Sequence, residues 1–362
     1  MQIPADTVSL RDYEYRFHEK VDPAIRAYIA GAAADAVTQR ENGAAFERIR
    51  LMPRALVDMS KASARSELFG ETLDYPILIA PTAYHKLVHP DGELATVQGA
   101  SLTRTWMTVS TQASVTLEDI ANASTAPLWF QLYMQPRREQ TLSLVRRAEQ
   151  VGYKAIVVTI DAPVSGIRNA EQRAAFRLPG DVRAVNLAAF PSTGPVSASL
   201  GSPVFRGMLD HAPTWGDIAW LCRQTALPVL VKGLLHPADV KLALDAGVSG
   251  IVVSNHGGRT LDTVPATIDL LPAIASAVGG AVPILLDGGV RRGTDIVKAI
   301  ALGASAVLVG QPVLHALAVG GMPGVVHMLT LLQTELEVAM ALLGRPALQD
   351  IDASMLLRPG GA

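Results

Sequence analysis

The chain has 362 residues, of which 49% are hydrophobic and 18% charged, a composition typical of a globular protein with a large core. Its 31 Lys and Arg residues nearly balance 33 Asp and Glu, and no basic run is interleaved with aromatic residues. Nothing in this pattern indicates a nucleic-acid partner. The single cysteine excludes an internal disulfide and a cysteine metal cluster, so we expect no bound metal.

The first twenty residues contain Asp12, Glu14 and Glu19, where a signal peptide would be apolar. Asp, Lys, Pro or Gly interrupts each apolar run before it approaches the roughly 20 residues that cross a bilayer. We therefore expect a cytoplasmic protein without a membrane partner.

Residues 1–75 predict an extension ahead of the main fold. Residues 7–50 read as helices, with Ser9 as an N-cap candidate and Pro23 early in the second helix. Residues 50–75 alternate apolar and polar side chains around Gly70, which predicts a hairpin. We expect this hairpin to close the bottom of a barrel.

Residues 76–330 contain eight short apolar runs, most of them roughly 20–35 residues apart, which is the spacing of a βα unit. Eight such units predict a single α/β domain with a (β/α)8 (TIM) barrel, and an open doubly wound sheet is the alternative. Residues 173–213 break the rhythm and predict a mobile active-site loop. Residues 331–362 are expected to form a C-terminal helical tail. The runs are Ile77–Ala80, Trp106–Val109, Leu128–Leu132, Ala155–Ile160, Val229–Val231, Gly250–Val253, Ile284–Leu286 and Ala306–Val309.

Polar residues follow all eight runs, and a barrel brings the ends of parallel strands to one rim. His256, after the sixth run, combines a titratable imidazole with two glycines and Arg259. Each residue alone could be a cap, a turn or a solvated charge, but their coincidence favours a site. The other rim residues are Pro81, Thr82, Ala83, Tyr84, Ser110, Gln112, Gln131, Tyr133, Thr159, Asp161, Arg168, Lys232, Ser254, Asp287, Gly288, Gly289, Arg291, Gly310 and Gln311.

Two groups of rim residues indicate the chemistry of the ligands. Glycine amides and Arg291 follow the last two runs, where barrels commonly hold a phosphate near a helix N-terminus, so we expect a phosphorylated cofactor. Two arginines, Arg168 and Arg259, are expected to converge with Tyr28 and Tyr133. Because a guanidinium fork matches a carboxylate, the substrate is expected to be a carboxylate.

Seven segments resemble the FMN-dependent α-hydroxy acid oxidases and dehydrogenases, which include glycolate, lactate and hydroxymandelate oxidases. The resemblance runs from about residue 13 to residue 343, with every motif in order. It implies a (β/α)8 barrel with FMN at the C-terminal rim and oxidation of an S-2-hydroxy acid to a 2-oxo acid. It also implies oxygen or another electron acceptor and a homo-oligomer, a tetramer or an octamer. The segments are YIAGA, APTAYHK, FQLY, VTIDAP, LVKG, SNHGGRTLD and LDGGVRRG.

The resemblance also implies roles for individual residues. His256 would take the substrate hydroxyl or α-proton, Asp161 would support its charged form, and Lys232 would lie beside flavin N1 and the C2 carbonyl. Tyr28, Arg168 and Arg259 would bind the carboxylate, and Tyr133 the hydroxyl. The residues implied to contact FMN are Pro81, Thr82, Ala83, Ser110, Gln131, Thr159, Lys232, Ser254, Asp287, Gly288, Gly289, Arg291, Gly310 and Gln311.

Two departures from the family pattern bear on ligands. Gln311 replaces an arginine that serves the phosphate, which removes a charge from the FMN site. Gln112 replaces the tryptophan of glycolate oxidase, and with Tyr84 it predicts a pocket for bulky or aromatic, mandelate-like acids. The alternatives are a short-chain oxidase, an FMN-dependent isomerase on a related barrel, and a flavin-binding protein that has lost catalysis.

Overall fold

The computed structural model describes residues 3–190, 202 and 204–357. The N-terminal extension begins with three helices, and its first two starts follow local sequence signals. The Ser9 side chain accepts a hydrogen bond from the backbone of Asp12, and Pro23 occupies the first turn of the second helix. These helices are α1 (Leu10–Lys20), α2 (Pro23–Ala30) and α3 (Val37–Arg48).

After α3 come β1 (Arg50–Leu51), β2 (Ser66–Leu68) and β3 (Glu71–Leu73). β2 and β3 form the predicted hairpin around Gly70, and Phe69 at its tip packs against the lower barrel interior. The hairpin therefore seals the bottom of the barrel.

Eight parallel strands then close into a barrel, with each strand bonded to its sequence neighbour and the last bonded to the first. Closure confirms the (β/α)8 prediction over the open sheet, and all eight predicted runs are strands. The strands are β4 (Ile77–Ile79), β5 (Trp106–Ser110), β6 (Leu128–Leu132), β7 (Ala155–Thr159), β8 (Val229–Leu234), β9 (Gly250–Val253), β10 (Ile284–Leu286) and β11 (Ala306–Val309).

Helices follow the strands, and most of them cover the outside of the barrel, whereas the short helix of residues 169–173 packs against α2. They are α4 (Glu93–Leu102), α5 (Leu117–Asn122), α6 (Arg138–Gln150), α7 (Asn169–Arg173), α8 (Trp215–Cys222), α9 (Pro237–Asp245), α10 (Thr267–Val278), α11 (Gly293–Ala301) and α12 (Gln311–Leu343). A final short strand, β12 (Leu356–Leu357), pairs antiparallel with β1.

Alternation along the strands divides the core into two layers. One set of strand side chains, including Trp106, Trp129, Leu230 and Leu285, fills the barrel interior, and the other set packs against the helices. Lys232 follows Leu230 by two residues in β8, so its side chain points to the same, interior side of the barrel. The same alternation directs polar side chains near the C-terminal strand ends into the space above the apolar interior.

α12 bears on the expectation that glycine and proline interrupt each apolar run. Gly321 has φ 60° and ψ −146°, which is not helical, so two helical segments meet at this residue, and Pro323 lies in the first turn of the second. By length and composition α12 passes the test for a membrane span, yet 72% of its most apolar window is buried inside the fold. It packs against α1, α4 and α11 as a core helix. The predicted boundary between residues 330 and 331 falls inside it.

The predicted loop of residues 173–213 follows α7. Its described part includes a 3-10 turn at Val185–Leu187 and a π-helical turn at Val204–Met208. Residues 191–201 and 203 lie outside the described residues.

Candidate active site

A cavity of about 1080 Å³ opens at the C-terminal ends of the barrel strands. Every rim residue predicted from the sequence lines it, except Asp161 and Ser254, and Tyr28 of α2 lines it as well. Those two residues lie behind lining residues and contact them, as described below. The structure thus brings the predicted site residues together around one space.

His256 is held in a fixed orientation by Asp161. The imidazole Nδ1 lies 2.9 Å from Asp161 Oδ1, and the His256 backbone N–H donates to Ser254 Oγ at 3.1 Å. A carboxylate at Nδ1 favours the tautomer with its proton there and stabilises the imidazolium, which leaves Nε2 as the basic atom. His256 also has a left-handed backbone, φ 56°, an unusual conformation that persists where surrounding structure enforces it.

Gly233 explains how Asp161 fits beside the barrel. Its φ is +110°, and a Cβ placed on it would lie 2.5 Å from Asp161 Cβ and Cγ. Only glycine both adopts this backbone and leaves room for the carboxylate.

Lys232 brings a buried positive charge to the cavity floor. Its Nζ lies 2.8 Å from Asp287 Oδ2 and donates to Ser254 Oγ at 2.8 Å. Burial opposes the charge, but Asp287 and Asp161 outweigh it and raise the pKa of Lys232 above its usual value. Lys232 therefore remains a cation at neutral pH.

Arg168 and Arg259 converge on the ring of Tyr28, with their guanidinium carbons 5.8 and 5.5 Å from its centroid. Arg259 Nη1 donates to the carbonyls of Ile29 and Gly31, at 3.1 and 2.6 Å, which anchors it to the end of α2. Two cations at the cavity wall form a site suited to an anion.

Two tyrosines complete this side of the cavity. Burial raises the pKa of Tyr28 and of Tyr133 to about 12 each, although the two arginines act in the opposite direction. Both phenols therefore keep their protons at neutral pH and can donate hydrogen bonds to a bound anion.

A polar network joins the ends of β5, β6 and β7. Gln131 Nε2 donates to Thr159 Oγ1 at 2.9 Å, and Gln131 Oε1 accepts from Ser110 Oγ at 3.2 Å. The network fixes the orientation of the Gln131 amide at the cavity wall.

The opposite end of the cavity fits a phosphate. Arg291 is half-buried and donates to Val290 O and Gln311 Oε1, at 3.0 and 3.3 Å, and no described carboxylate lies within 4 Å of its guanidinium. α12 begins at Gln311, so the positive end of its dipole lies in this region, although Pro312 has no N–H and the Val313 N–H donates to Gly310 O at 2.9 Å. A half-buried guanidinium with no carboxylate in direct contact, beside a helix N-terminus, is an environment that suits a phosphate.

The glycine turn after β10 packs directly against α3, so no side chain fits at Gly289. Gly289 has φ +93°, and a Cβ there would lie 2.2 Å from the backbone oxygen of Asn42. On the cavity floor nearby, Asp287 Oδ1 is buried and has no hydrogen-bond partner among the described residues. This unpaired acceptor and the cations Lys232 and Arg291 all line the cavity, and such groups fit the polar atoms and the phosphate of FMN.

Gln311 occupies the position where the family resemblance implies an arginine. Its Oε1 accepts from Arg291, and its Nε2 donates to Ile29 O at 3.0 Å. Arg292 is turned away and pairs with Glu335 at 2.6 Å. Arg291 is therefore the guanidinium that this end of the cavity presents.

Sequence reasoning missed several residues. Asn42 of α3 exchanges two hydrogen bonds with Asn255, at 2.7 and 2.9 Å, and lines the cavity. Glu171 of α7 pairs with both cavity arginines, and Phe176 stacks on Tyr28 at 4.7 Å. In the sequence Asn42 is one polar residue among several in its helix, and its burial is visible only in the structure. Nothing local marked the other two.

Comparisons with known proteins agree with this geometry. The profile of the FMN-dependent dehydrogenase family matches residues 17–358. The chain is 46% identical over 351 residues to an L-lactate oxidase of Alicycliphilus denitrificans, covering 97% of this chain and 96% of the relative. It is 42% identical over 349 residues to glycolate oxidase 3 of Arabidopsis thaliana, covering 96% and 95%.

Solved structures give the same result. Mandelate oxidase with (S)-2-phenylpropionate superposes with a TM-score of 0.87 at 40% identity, covering 97% of this chain and 98% of that one. Mandelate oxidase with benzoyl-formic acid gives 0.88 at 39% identity, covering 97% and 98%. The match extends over nearly the whole fold, and the aligned relatives are oxidases. The chain therefore belongs to the FMN-dependent dehydrogenase family and, within it, to the FMN-dependent 2-hydroxy-acid oxidases.

Proposed function

We propose that this oxidase acts on bulky or aromatic S-2-hydroxy acids, with His256 as the base and molecular oxygen as the electron acceptor. The observation that carries the proposal is the 2.9 Å contact between Asp161 and His256, beside a cavity wall with two arginines. This arrangement holds a base next to a site for the substrate carboxylate. The oxidase names of the relatives support oxygen as acceptor.

The residues divide the work between binding and proton transfer. Arg168, Arg259 and Tyr28 bind the carboxylate, while Tyr133 donates a hydrogen bond to the substrate hydroxyl oxygen. His256 Nε2 takes the hydroxyl proton or the α-proton of the substrate, and Asp161 stabilises the imidazolium that results. Both tyrosines can act as donors because their pKa values, about 12, keep them protonated.

FMN supplies the acceptor for the two electrons that leave the hydroxy acid. Arg291, the glycine turn of residues 288–289 and the start of α12 would hold its phosphate end. Lys232 would place a cation where the ring system collects negative charge. The remaining FMN contacts predicted from the sequence belong to the same proposal, as do a homo-oligomeric state and a cytoplasmic location, which rest on resemblance and composition.

Gln112 and Tyr84 support a large substrate side chain. Both line the cavity, and the Gln112 side chain makes no hydrogen bond among the described residues. Tyr84 lies 6.3 Å from Tyr28, centroid to centroid, and offers an aromatic surface against which a ring can pack. The mandelate oxidase structures were solved with aromatic acids, which favours the same interpretation.

A short-chain oxidase is the second candidate, because the L-lactate oxidases reach 45–46% identity over nearly the full chain. Anaerobic flavin bleaching by glycolate, lactate, 2-hydroxyoctanoate and mandelate, compared by kcat/KM, separates the two. We expect mandelate to be best, and Gln112→Trp to exclude the larger acids selectively while sparing lactate. Glycolate or lactate as the best substrate would contradict the aromatic preference.

His256→Ala tests the base directly. A general base contributes on the order of 10²–10⁴-fold, so flavin reduction should fall by at least that factor. FMN content should be unchanged, because His256 is remote from the phosphate end. Reduction at the parental rate would reassign the base.

A further inference from the structure

Glu171 lies behind the two arginines of the proposed carboxylate site. It belongs to α7, three residues after Arg168, and its side chain is only 16% exposed. It does not line the cavity, whereas both arginines do. A largely buried carboxylate next to an anion site requires an explanation, because it should compete with the anion for the same cations.

One oxygen of Glu171 serves both arginines. Its Oε1 lies 3.0 Å from Arg168 Nε and 3.6 Å from Arg259 Nη2. No other described carboxylate lies within 4 Å of either guanidinium. The same oxygen makes no hydrogen bond of good geometry, so the contact is chiefly electrostatic. Glu171 is thus the shared counter-ion of the two cations.

The charges in this group depend on one another. Burial lowers the pKa of Arg259, and the neighbouring Arg168 lowers it further, whereas Glu171 opposes both effects. Burial raises the pKa of Glu171, and the two arginines counteract it. Because a guanidinium does not lose its proton at neutral pH, two arginines without a counter-ion would relieve their repulsion by moving apart.

Both guanidinium groups keep N–H donors that Glu171 does not use. Both N–H groups of Arg259 Nη1 are used by Ile29 O and Gly31 O, which leaves Nε and part of Nη2. Arg168 meets Glu171 through Nε, which leaves its two terminal nitrogens. Each guanidinium thus keeps donors for a second carboxylate while Glu171 holds its other edge.

α7 is itself anchored, so Glu171 is not on a free loop. The backbone of Ala34 donates to Ile167 O at 2.8 Å, immediately before α7, and Phe176 stacks on Tyr28 just after it. These contacts tie both ends of the short helix to the end of α2, where Arg259 is also bound.

We propose that Glu171 is a positioning residue that holds Arg168 and Arg259 together as a two-arginine clamp for the substrate carboxylate. The proposal rests on the proposed function, in which these arginines bind that carboxylate. Glu171 acts through the arginines and does not touch the substrate. It reduces the net charge of the two arginines from +2 to +1, and it leaves the terminal nitrogens of Arg168 and Nε of Arg259 free to bind the substrate.

The test uses the FMN-loaded enzyme and stopped-flow flavin reduction, which separates the substrate Kd from the limiting rate. The probes are S-mandelate, or S-lactate if it is the better substrate, and the matching 2-hydroxy amide, which lacks the carboxylate charge. Glu171→Gln should raise the Kd of the acid by roughly tenfold, because the arginines lose their alignment. The limiting rate, the FMN content and the Kd of the amide should stay within about threefold of the parent.

Two further variants complete the design. Glu171→Asp keeps the charge and should restore most of the acid affinity, whereas Gln172→Ala, an exposed change on the same helix, should leave both Kd values unchanged. Equal weakening of acid and amide by Glu171→Gln would indicate a general structural role and overturn the proposal. Unchanged or tighter binding of the acid would overturn it too.

Arg168→Lys and Arg259→Lys distinguish the two proposals. If neither raises the Kd of the acid, the clamp itself fails, and with it this part of the proposed function. If both raise it while Glu171→Gln does not, the clamp stands and only the role of Glu171 is refuted.

Discussion

His315, in the second turn of α12, offers a quantitative test of the packing beneath the active site. It is 1% exposed, its ring lies 4.4 Å from that of Phe17, and neither ring nitrogen has a hydrogen-bond partner among the described residues. Burial, reinforced by the charge of Arg291, lowers the pKa of His315 from 6.5 to about 3. The imidazole is therefore buried in its neutral form.

The sign of the pH dependence follows from this shift. Between pH 6.5 and 3 the unfolded chain binds a proton at His315 that the native protein does not, so stability falls as the pH falls through this window. The full effect is about 5 kcal/mol, from a shift of roughly 3.5 pKa units at 1.36 kcal/mol each. At pH 4.5 the loss relative to pH 8 is roughly 2.5 kcal/mol.

His315→Phe should remove this contribution. Urea unfolding of the FMN-loaded enzyme at pH 8, 6.5, 5.5 and 4.5 gives the free energy of unfolding for parent and variant. We expect the parent to lose roughly 2.5 kcal/mol more than the variant between pH 8 and 4.5. The absolute values at pH 8 decide less, because removing unpaired polar atoms stabilises the core while a larger ring strains it.

Phe17→Leu is the matched control. It removes the ring that packs against His315 and keeps the imidazole, so it should lower stability at every pH and leave the slope of the parent. Parallel pH curves for the parent and His315→Phe would refute the reasoning, since they would show that the histidine protonates equally in the folded and unfolded states.

Three further predictions concern the active site. Gly233→Ala should cost roughly 1–3 kcal/mol of stability through backbone strain and displace Asp161, which a combined measurement of urea midpoint and kcat would reveal. Asp161→Asn should slow flavin reduction about 10–100-fold, less than loss of His256 itself, and an unchanged rate in stopped-flow would remove Asp161 from the mechanism. Gln311→Arg should slow FMN release several-fold by adding a cation beside Arg291, whereas Gln311→Ala should speed it. Recovery of free-flavin fluorescence measures both, and a faster release from Gln311→Arg would contradict the charge argument.

Much of the fold followed from local pattern. Strands buried on both faces read as short apolar runs whatever surrounds them, so all eight were found within a few residues of their observed ends. The rim residues followed from topology, because parallel strands in a barrel end on one side. His256, Lys232 and Arg291 could thus be placed around one cavity from the sequence.

Contacts between distant segments could not be predicted in this way. β1 and β12 are two residues each, too short for any periodicity, and they form only because the fold brings the segment after α3 against the C-terminal segment. α12 is kinked at Gly321, whose backbone is not helical, and packing against α1, α4 and α11 holds its two segments in the core. Local propensity is a weak constraint where tertiary packing supplies most of the stability of a helix.

The same limit applies within the site. In the sequence Glu171 is an ordinary polar residue of a short helix, and only the fold brings the distant Arg259 within 3.6 Å of its carboxylate. His315 has the spacing of a core position, but only the finished packing shows that its nitrogens lack partners. The strand pattern sets which residues reach the rim. Charge pairing and burial depend on distances between segments that no local pattern encodes, so the tertiary structure alone decided them.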